Sequence, residues 1–389
     1  MLTSKYYAHE VRSFKLFDFL MGKYKGFVHD RIDLTITSTK KQTQYTALSS
    51  ILNYLMGFIA SLRLVFLLIR KGITLADFTL LQSYVIKMQG ALNTLIESYM
   101  SIEERNLYLD NLFSFLDCAQ RKASTLAAVK LCKATSHKIE FRHVTFKYPN
   151  SEQIILDDIS FVIEPGETVM LVGENGAGKT TMLMLLNLFY ENYTGEIFID
   201  DIDIKTLEIQ SLREGISMMF QSGSLLPLTL YENIALGRAV PEDEYQNYPW
   251  FQSLVSKYPD GINTILLTYM YPNGIQPSGG EVQRIKLMRA ILKEGAGVLV
   301  LDEPTSAIDP ETEYQILTSI KEIAKNKTTI LVSHKLSCAI YADKIIHLEH
   351  GRITENGSHQ QLMKAGGKYS KLFKMQAENY IDKHPLSEL

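Results

Sequence analysis

The sequence predicts an α/β domain preceded by an α-helical membrane segment with two transmembrane helices, and three observations carry that reading. Ala47 to Ile69 reads ALSSILNYLMGFIASLRLVFLLI, with Arg63 as its one charge; roughly 20 such residues suffice to cross a bilayer. Glu167–Val172 reads as a buried strand that passes through a glycine-rich loop into an apolar helix starting at Lys179. Gly297–Leu301 is a second apolar strand, and it ends in Asp302 and Glu303. Continuous Val/Leu runs of this kind mark parallel strands covered on both faces.

Composition suits two parts. The chain has 389 residues, 46% hydrophobic and 21% charged, enough for two domains. A formal net charge of −3 argues against a nucleic-acid binder, because no excess of cations is available to neutralise phosphates. Cys118, Cys132 and Cys338 are far apart and form no C-x-x-C pair. They imply neither a disulfide framework nor a thiolate metal site. Met1 to Asp30 is rich in Lys, Tyr and Phe and lacks the apolar core of a cleavable signal.

Residues 1–130 are expected to form a partial membrane domain with spans at about 47–69 and 76–98. The second span, around Phe78 to Ile96, carries Lys87 and the amides Gln82, Gln89 and Asn93. Polar groups inside a span face a cavity or a neighbouring helix, so these four suggest a pathway-lining face. Lys5, Arg12, Lys15, Lys23, Lys25, Arg31, Lys40 and Lys41 precede the first span, whereas Arg70 and Lys71 alone lie in the turn. That bias puts the N-terminus and everything after Glu97 on the cytoplasmic side. Ser101 to Leu116 reads as an amphipathic helix, and Ala119 to His137 as a polar connector.

The second domain spans 138–380. It opens on alternating strand texture, Ile139 to Phe146. Gly173-Glu174-Asn175-Gly176-Ala177-Gly178-Lys179-Thr180 fits G-x-x-x-x-G-K-[ST], a loop whose backbone N–H groups wrap a nucleotide's phosphates. Glycine permits the close approach and the unusual dihedrals. Lys179 supplies charge to the outer phosphates, Thr180 a hydroxyl for Mg²⁺, and Thr181 follows on the same helix. Asp302 is placed to hold Mg²⁺ through a water, and Glu303 to orient and deprotonate an attacking water. A further set, His347, Glu349 and His350, fails as a metal site on its pattern: 347 and 349 share a strand face that 350 does not. Mg²⁺ arriving with ATP is the one metal expected.

Six motifs in order then make the reading specific: the Lys179 loop, Phe220-Gln221 after an apolar strand, Ser278-Gly279-Gly280-Glu281, the Asp302 strand, Ser306-Ala307-Ile308-Asp309, and Ser333-His334. From Lys138 to about Tyr380 the chain resembles an ATP-binding cassette (ABC) ATPase. The resemblance implies a RecA-like core with an antiparallel β subdomain and a helical subdomain. It also implies a head-to-tail pair of cassettes in which Ser278, Gly279 and Gly280 of one chain meet the ATP of the other. It assigns Tyr148 to adenine stacking, Gln221 to Mg²⁺ and the water, Asp309 to bridging the cassettes and His334 to the γ-phosphate. Two positions depart from the family pattern: Pro277 stands where Leu is usual and Glu281 where Gln is usual. Tyr269-Met270-Tyr271-Pro272-Asn273 replaces an acidic segment common in exporters.

A membrane segment ahead of the cassette resembles the exporter branch, whose halves carry six spans where two are counted here. This implies a truncated half-transporter, working as a homo- or heterodimer with a second half-transporter in the plasma membrane, with its ATPase domain cytoplasmic. It would couple ATP hydrolysis to export of a peptide, lipid or drug-like substrate. The alternative is a transport-incompetent remnant or a regulatory nucleotide-binding protein. A soluble cassette of DNA repair or translation fits less well, since such chains lack the apolar hairpin.

Overall fold

The computed structural model describes residues 8–70, 72–121, 129–132, 134–267 and 273–381. It divides into two units, residues 1–118 and 119–389. The first is helical: α1 (Ala8–Ser13), α2 (Phe17–Ile69) and α3 (Leu75–Arg121). At 1.5 Å per residue, the 53 residues of α2 and the 47 of α3 run about 80 and 70 Å. The sequence bounded shorter spans because the apolar pattern stops while helical backbone continues through charged turns. The expected separate helix at Ser101–Leu116 is the last part of α3. Thr74 starts α3: its hydroxyl accepts from Asp77 N–H at 3.1 Å, and Asp77 Oδ2 accepts from Thr74 N–H at 3.0 Å. Such a reciprocal cap satisfies two orphan donors of the first turn.

The polar residues of α3 turn towards α2. Gln89 donates to the Asn53 carbonyl at 2.9 Å, Asn53 donates to Asn93 Oδ1 at 2.8 Å, and Ser61 and Gln82 exchange hydrogen bonds at 3.0–3.1 Å. A Cβ on Gly57 would lie 2.7 Å from Gln89 Nε2, so glycine there admits the amide. This corrects the expectation of a pathway-lining face for Gln82, Gln89 and Asn93: each is spent on the hairpin's own register. Lys87 points outward. Among the described residues no helix is long and apolar enough to cross a membrane. The hairpin nonetheless exposes Ile51, Tyr54, Phe58, Ile59 and Ile69 of α2 and Ile86, Met88 and Leu95 of α3, each more than half accessible.

The second unit begins with β1 (Ile139–Lys147), β2 (Ile154–Ile163), β3 (Thr168–Gly173), α4 (Lys179–Leu186), β4 (Tyr193–Ile199) and β5 (Ile202–Asp203). α5 (Ile209–Gly215) and β6 (Ile216–Met219) follow, then a mainly helical insertion of α6 (Leu230–Ala235), α7 (Glu242–Gln246), α8 (Pro249–Val255) and α9 (Gly279–Ile291), with isolated bridges Thr229–Ile265 and Leu266–Ile275. β7 (Val298–Asp302), α10 (Pro310–Ala324), β8 (Thr328–Val332), β9 (Lys344–Glu349), β10 (Arg352–Gly357), α11 (His359–Ala365) and α12 (Lys368–Ile381) complete it. One antiparallel sheet has the order β2-β1-β4-β5; the other runs β10-β9-β3-β8-β7-β6, parallel from β9 to β6. This is the expected α/β core with an antiparallel β subdomain and a helical subdomain. Val129 pairs with Leu207 ahead of β1, while the Tyr269–Pro272 departure lies outside the described residues.

The six-stranded sheet divides the core by strand alternation. Val169 and Leu171 of β3 face one cluster with Ile139, Phe141 and Leu156, whereas Met170 and Val172 face another with Trp250, Ile285 and Leu331. Every residue of β3, β7 and β8 is buried, which is why these strands read as unbroken apolar runs. Burying one such side chain is worth about 1.5–3 kcal/mol, so the strand ends that carry the site are firmly held.

Candidate nucleotide site

Parallel strands deliver their loops to one edge of a sheet, where α/β proteins bind ligands. Here β3 leads to the glycine loop, β7 to Asp302 and Glu303, β8 to Ser333 and His334, and β6 to Gln221. The ends are level: Leu171 and Asp302 both pair with Val332, whose carbonyl accepts from Glu303 N–H at 2.8 Å.

The loop needs glycine for two different reasons. Gly173, at φ +155°, would place a Cβ 2.2 Å from the Leu348 carbonyl oxygen, and Gly178, at φ +104°, would place one 2.5 Å from Leu156 Cδ2. Gly176 has open space around it and needs only its φ of +80°. Ala177 is buried, and its N–H closes a turn on the Glu174 carbonyl at 3.2 Å, past Asn175. Gly178 hands the chain to α4, whose first residue is Lys179. The Lys179 ammonium is buried and donates to the carbonyls of Gly173 and Glu174 at 2.7 and 2.8 Å. Burial pushes its pKa down, against the pull of Glu303 and Asp302. Thr181, two residues on, shares a hydrogen bond at 2.9 Å with Tyr148, just past the end of β1; the tyrosine ring is edge-on to Phe146 and Tyr190. The tyrosine therefore stands beside the loop.

Thr180 donates to Asp302 Oδ2 at 3.1 Å. Asp302 is buried, and that burial raises its pKa; the Thr180 hydrogen bond works the other way and the Glu303 carboxylate adds to the rise. Thr180, Asp302 and the Gln221 amide offer oxygen donors only, which suits a hard cation such as Mg²⁺. Among the described residues no three His, Cys, Asp or Glu side chains group as a metal site. His347 instead shares a 2.6 Å hydrogen bond with Thr354, and Glu349 pairs with Lys368.

Glu303 has φ +53°, a strained conformation for a non-glycine residue of the kind that clusters at functional sites. The twist presents its carboxylate to two partners: Gln221 Nε2 donates to Oε2 at 2.7 Å, and His334 Nε2 lies 2.8 Å from Oε1. The fan of Gln221, Glu303 and His334 stands next to the Thr180–Asp302 pair.

Ser278, Gly279, Gly280 and Asp309 form a second group; among the described contacts none joins it to the glycine loop. Ser278 caps α9, accepting from Glu281 N–H at 3.4 Å while the Glu281 carboxylate accepts from Ser278 N–H at 2.8 Å. Both departures from the family pattern thus have local sense. Pro277 stands one residue before the cap, where no helical N–H is needed, and Glu281 completes a capping box. Gly280 lies against the Ala307 carbonyl, 2.7 Å from where its Cβ would be. Asp309 caps α10, accepting from Thr312 N–H at 3.0 Å.

Three supporting residues escape sequence reasoning. Gln283 donates to the Glu303 carbonyl and to Ser306 Oγ (3.0 Å) and accepts from Ala307 N–H at 2.8 Å. The buried Lys286 donates to the carbonyls of Phe220 and Gln221 at 3.0 and 2.7 Å. Gln376, far along α12, touches the His334 segment. Lys286 left a faint signal, as a cation on the buried side of an amphipathic helix; the two glutamines left none.

The fold and this site define an ABC-type ATPase domain. Residues 156–306 match the ABC transporter family model. The chain is 37% identical over 308 residues to the ATP-dependent lipid A-core flippase of Legionella pneumophila (strain Paris), covering 78% of this chain and 51% of the flippase. It is 37% identical over 299 residues to the β-(1→2)glucan export ATP-binding/permease protein NdvA of Bartonella henselae, covering 76% and 48%. A solved structure of a bacterial Atm1-family ABC exporter with ATP bound superposes with a TM-score of 0.78 at 26% identity, covering 95% of this chain and 64% of that one. The chain belongs to the ABC transporters, and the relatives it resembles are exporters and flippases of that family. It spans about half the length of the flippase and glucan-export relatives.

Proposed function

We propose that this chain is an ATP-hydrolysing half of a membrane exporter, working as one of two cassettes that enclose ATP head to tail. The fan of Gln221, Glu303 and His334 beside the Thr180–Asp302 pair carries the reading. In the reaction, water oxygen bonds to the γ-phosphorus as the bond from that phosphorus to the bridging oxygen of ADP breaks. The Glu303 carboxylate takes the water's proton, Gln221 orients the water, and His334 holds a γ-phosphate oxygen. Lys179 and the loop N–H groups from Gly176 to Thr181 bind the outer phosphates. Thr180, Gln221 and Asp302 would hold Mg²⁺, which supplies positive charge to the phosphate oxygens. Tyr148 stacks on adenine, while Ser278, Gly279, Gly280 and Asp309 serve the partner's nucleotide.

The outward apolar side chains of α2 and α3 support burial of the hairpin among other membrane helices at about 47–69 and 76–98, with the 138–380 domain in the cytoplasm. Relatives named for lipid A-core and for β-(1→2)glucan favour a lipid- or glycan-bearing substrate. Replacing Glu303→Gln is the test. Phosphate release should fall by about 10²–10⁴-fold while a fluorescent ATP analogue still binds; undiminished release refutes the assignment of Glu303.

A further inference from the structure

Gln376 lies in α12, which is anchored one and two turns earlier. Tyr369 is fully buried and its hydroxyl meets His359 Nδ1 at 2.7 Å, and Phe373 packs on the His359 ring at 4.8 Å. From that platform the Gln376 carboxamide makes two hydrogen bonds to one short stretch of backbone. Its Nε2 donates to the His334 carbonyl at 2.8 Å, and its Oε1 accepts from Leu336 N–H at 2.9 Å. The amide thus clamps both sides of Lys335 as a neighbouring strand would, beyond the point where β8 has ended. The other side of the turn is held as well: Ser333 Oγ accepts from Lys335 N–H at 3.0 Å, and Lys335 Nζ donates to the Thr305 carbonyl at 3.0 Å. Between these two fixings the His334 ring reaches Glu303 at 2.8 Å.

We propose that Gln376 is a positioning residue for hydrolysis: it sets the backbone from which His334 reaches Glu303 and the γ-phosphate, and so makes the terminal helix part of the catalytic machinery. The proposal rests on the hydrolytic reading of Glu303 and His334 given above. A side chain whose amide oxygen and nitrogen are both spent on the backbone around Lys335 acts by placing the His334 ring, and misplacement by about an ångström costs up to about 10²-fold in rate.

The test uses the full chain with Gln376→Leu, alone and combined with His334→Ala. In the single variant kcat should fall about ten-fold or more with KM for ATP little changed, Leu336 N–H should exchange faster, and the His334 imidazole resonances should shift. In the His334→Ala background the same change should cost nothing further. An unchanged kcat, or an equal loss in both backgrounds, overturns the proposal. Should Gln376→Leu fail to fold, Gln376→Glu keeps the acceptor for Leu336 N–H but sets a carboxylate oxygen against the His334 carbonyl. It should lower kcat with Leu336 still protected, and wild-type kcat in that variant overturns the proposal as well. A chain with no Glu303-dependent hydrolysis refutes the hydrolytic reading instead, and the exchange and imidazole measurements then still decide whether Gln376 positions His334.

Discussion

Gly173 and Gly176 lie three residues apart in one loop, yet substitution should expose different physics at each. An alanine at Gly173 drives its Cβ into the Leu348 carbonyl at 2.2 Å, and backbone rather than a pliable side chain must move. Gly173→Ala should cost about 3 kcal/mol or more in urea unfolding, while Gly176→Ala, with nothing within 4 Å, should cost about 1 kcal/mol. Equal losses at the two positions would contradict the packing described. Asp302 offers a second test, through pH. Burial raises its pKa above the ordinary 3.8, so the folded chain holds that proton more tightly than the unfolded one. Its stabilising contribution is therefore full below 3.8 and is lost as pH rises through the raised value. Asp302→Asn should accordingly melt higher than wild type at neutral pH, with the gap closing as pH falls towards 3.8, although Mg²⁺-dependent hydrolysis is lost. A Tm difference that is constant with pH would show that Asp302 titrates normally.

At the scale of elements, α9 joins the two groups of site residues. Its N-terminus carries Ser278–Gly280, and Gln283 one turn later holds the backbone of Glu303 and Ala307. Gln283→Leu removes the acceptor of the Ala307 N–H, a hydrogen bond worth about 0.5–1.5 kcal/mol, and should slow hydrolysis by loosening the backbone that carries Glu303. Thermal melts and phosphate release measured together check this; a stable variant with wild-type rate would remove the bracing role. The motifs were legible before the structure because each lies within a few consecutive residues whose order the fold preserves. Gln283, Lys286 and Gln376 were not, because their partners lie 20, 66 and 42 positions away and no periodicity records such pairings. The same limit explains α3. Its amides read as a lining for a pathway because sequence gives the polar face but not what faces it, and the partner proved to be Asn53 and Ser61 of α2. Helix lengths were missed for a related reason, since apolar periodicity reports where a helix is buried rather than where it ends.

On the scale of the whole molecule, the separation of Ser278–Gly280 from the loop around Lys179 becomes a quantitative statement about assembly. Among the described contacts none joins Ser278–Gly280 to its own chain's loop, so in the proposed head-to-tail arrangement a complete site takes one half from each chain. Lys179→Ala removes the loop half from its own chain and leaves the Ser278 half intact, whereas Gly279→Asp does the reverse by adding a carboxylate where, in that arrangement, the partner's phosphate oxygens would approach. Homodimers of either variant contain no complete site. Mixing equal amounts, with random exchange, makes half of the dimers mixed, and each mixed dimer has one complete site of two. The mixture should then recover about a quarter of the wild-type hydrolysis rate if the sites act independently, read by phosphate release against either variant alone. Recovery shows that the two segments serve one nucleotide from different chains. If each variant alone keeps substantial activity, the chain completes its site by itself and the head-to-tail reading is wrong. If cross-linking shows that the variants exchange subunits yet no activity returns, the two sites of one dimer do not act independently, and hydrolysis needs both to be complete.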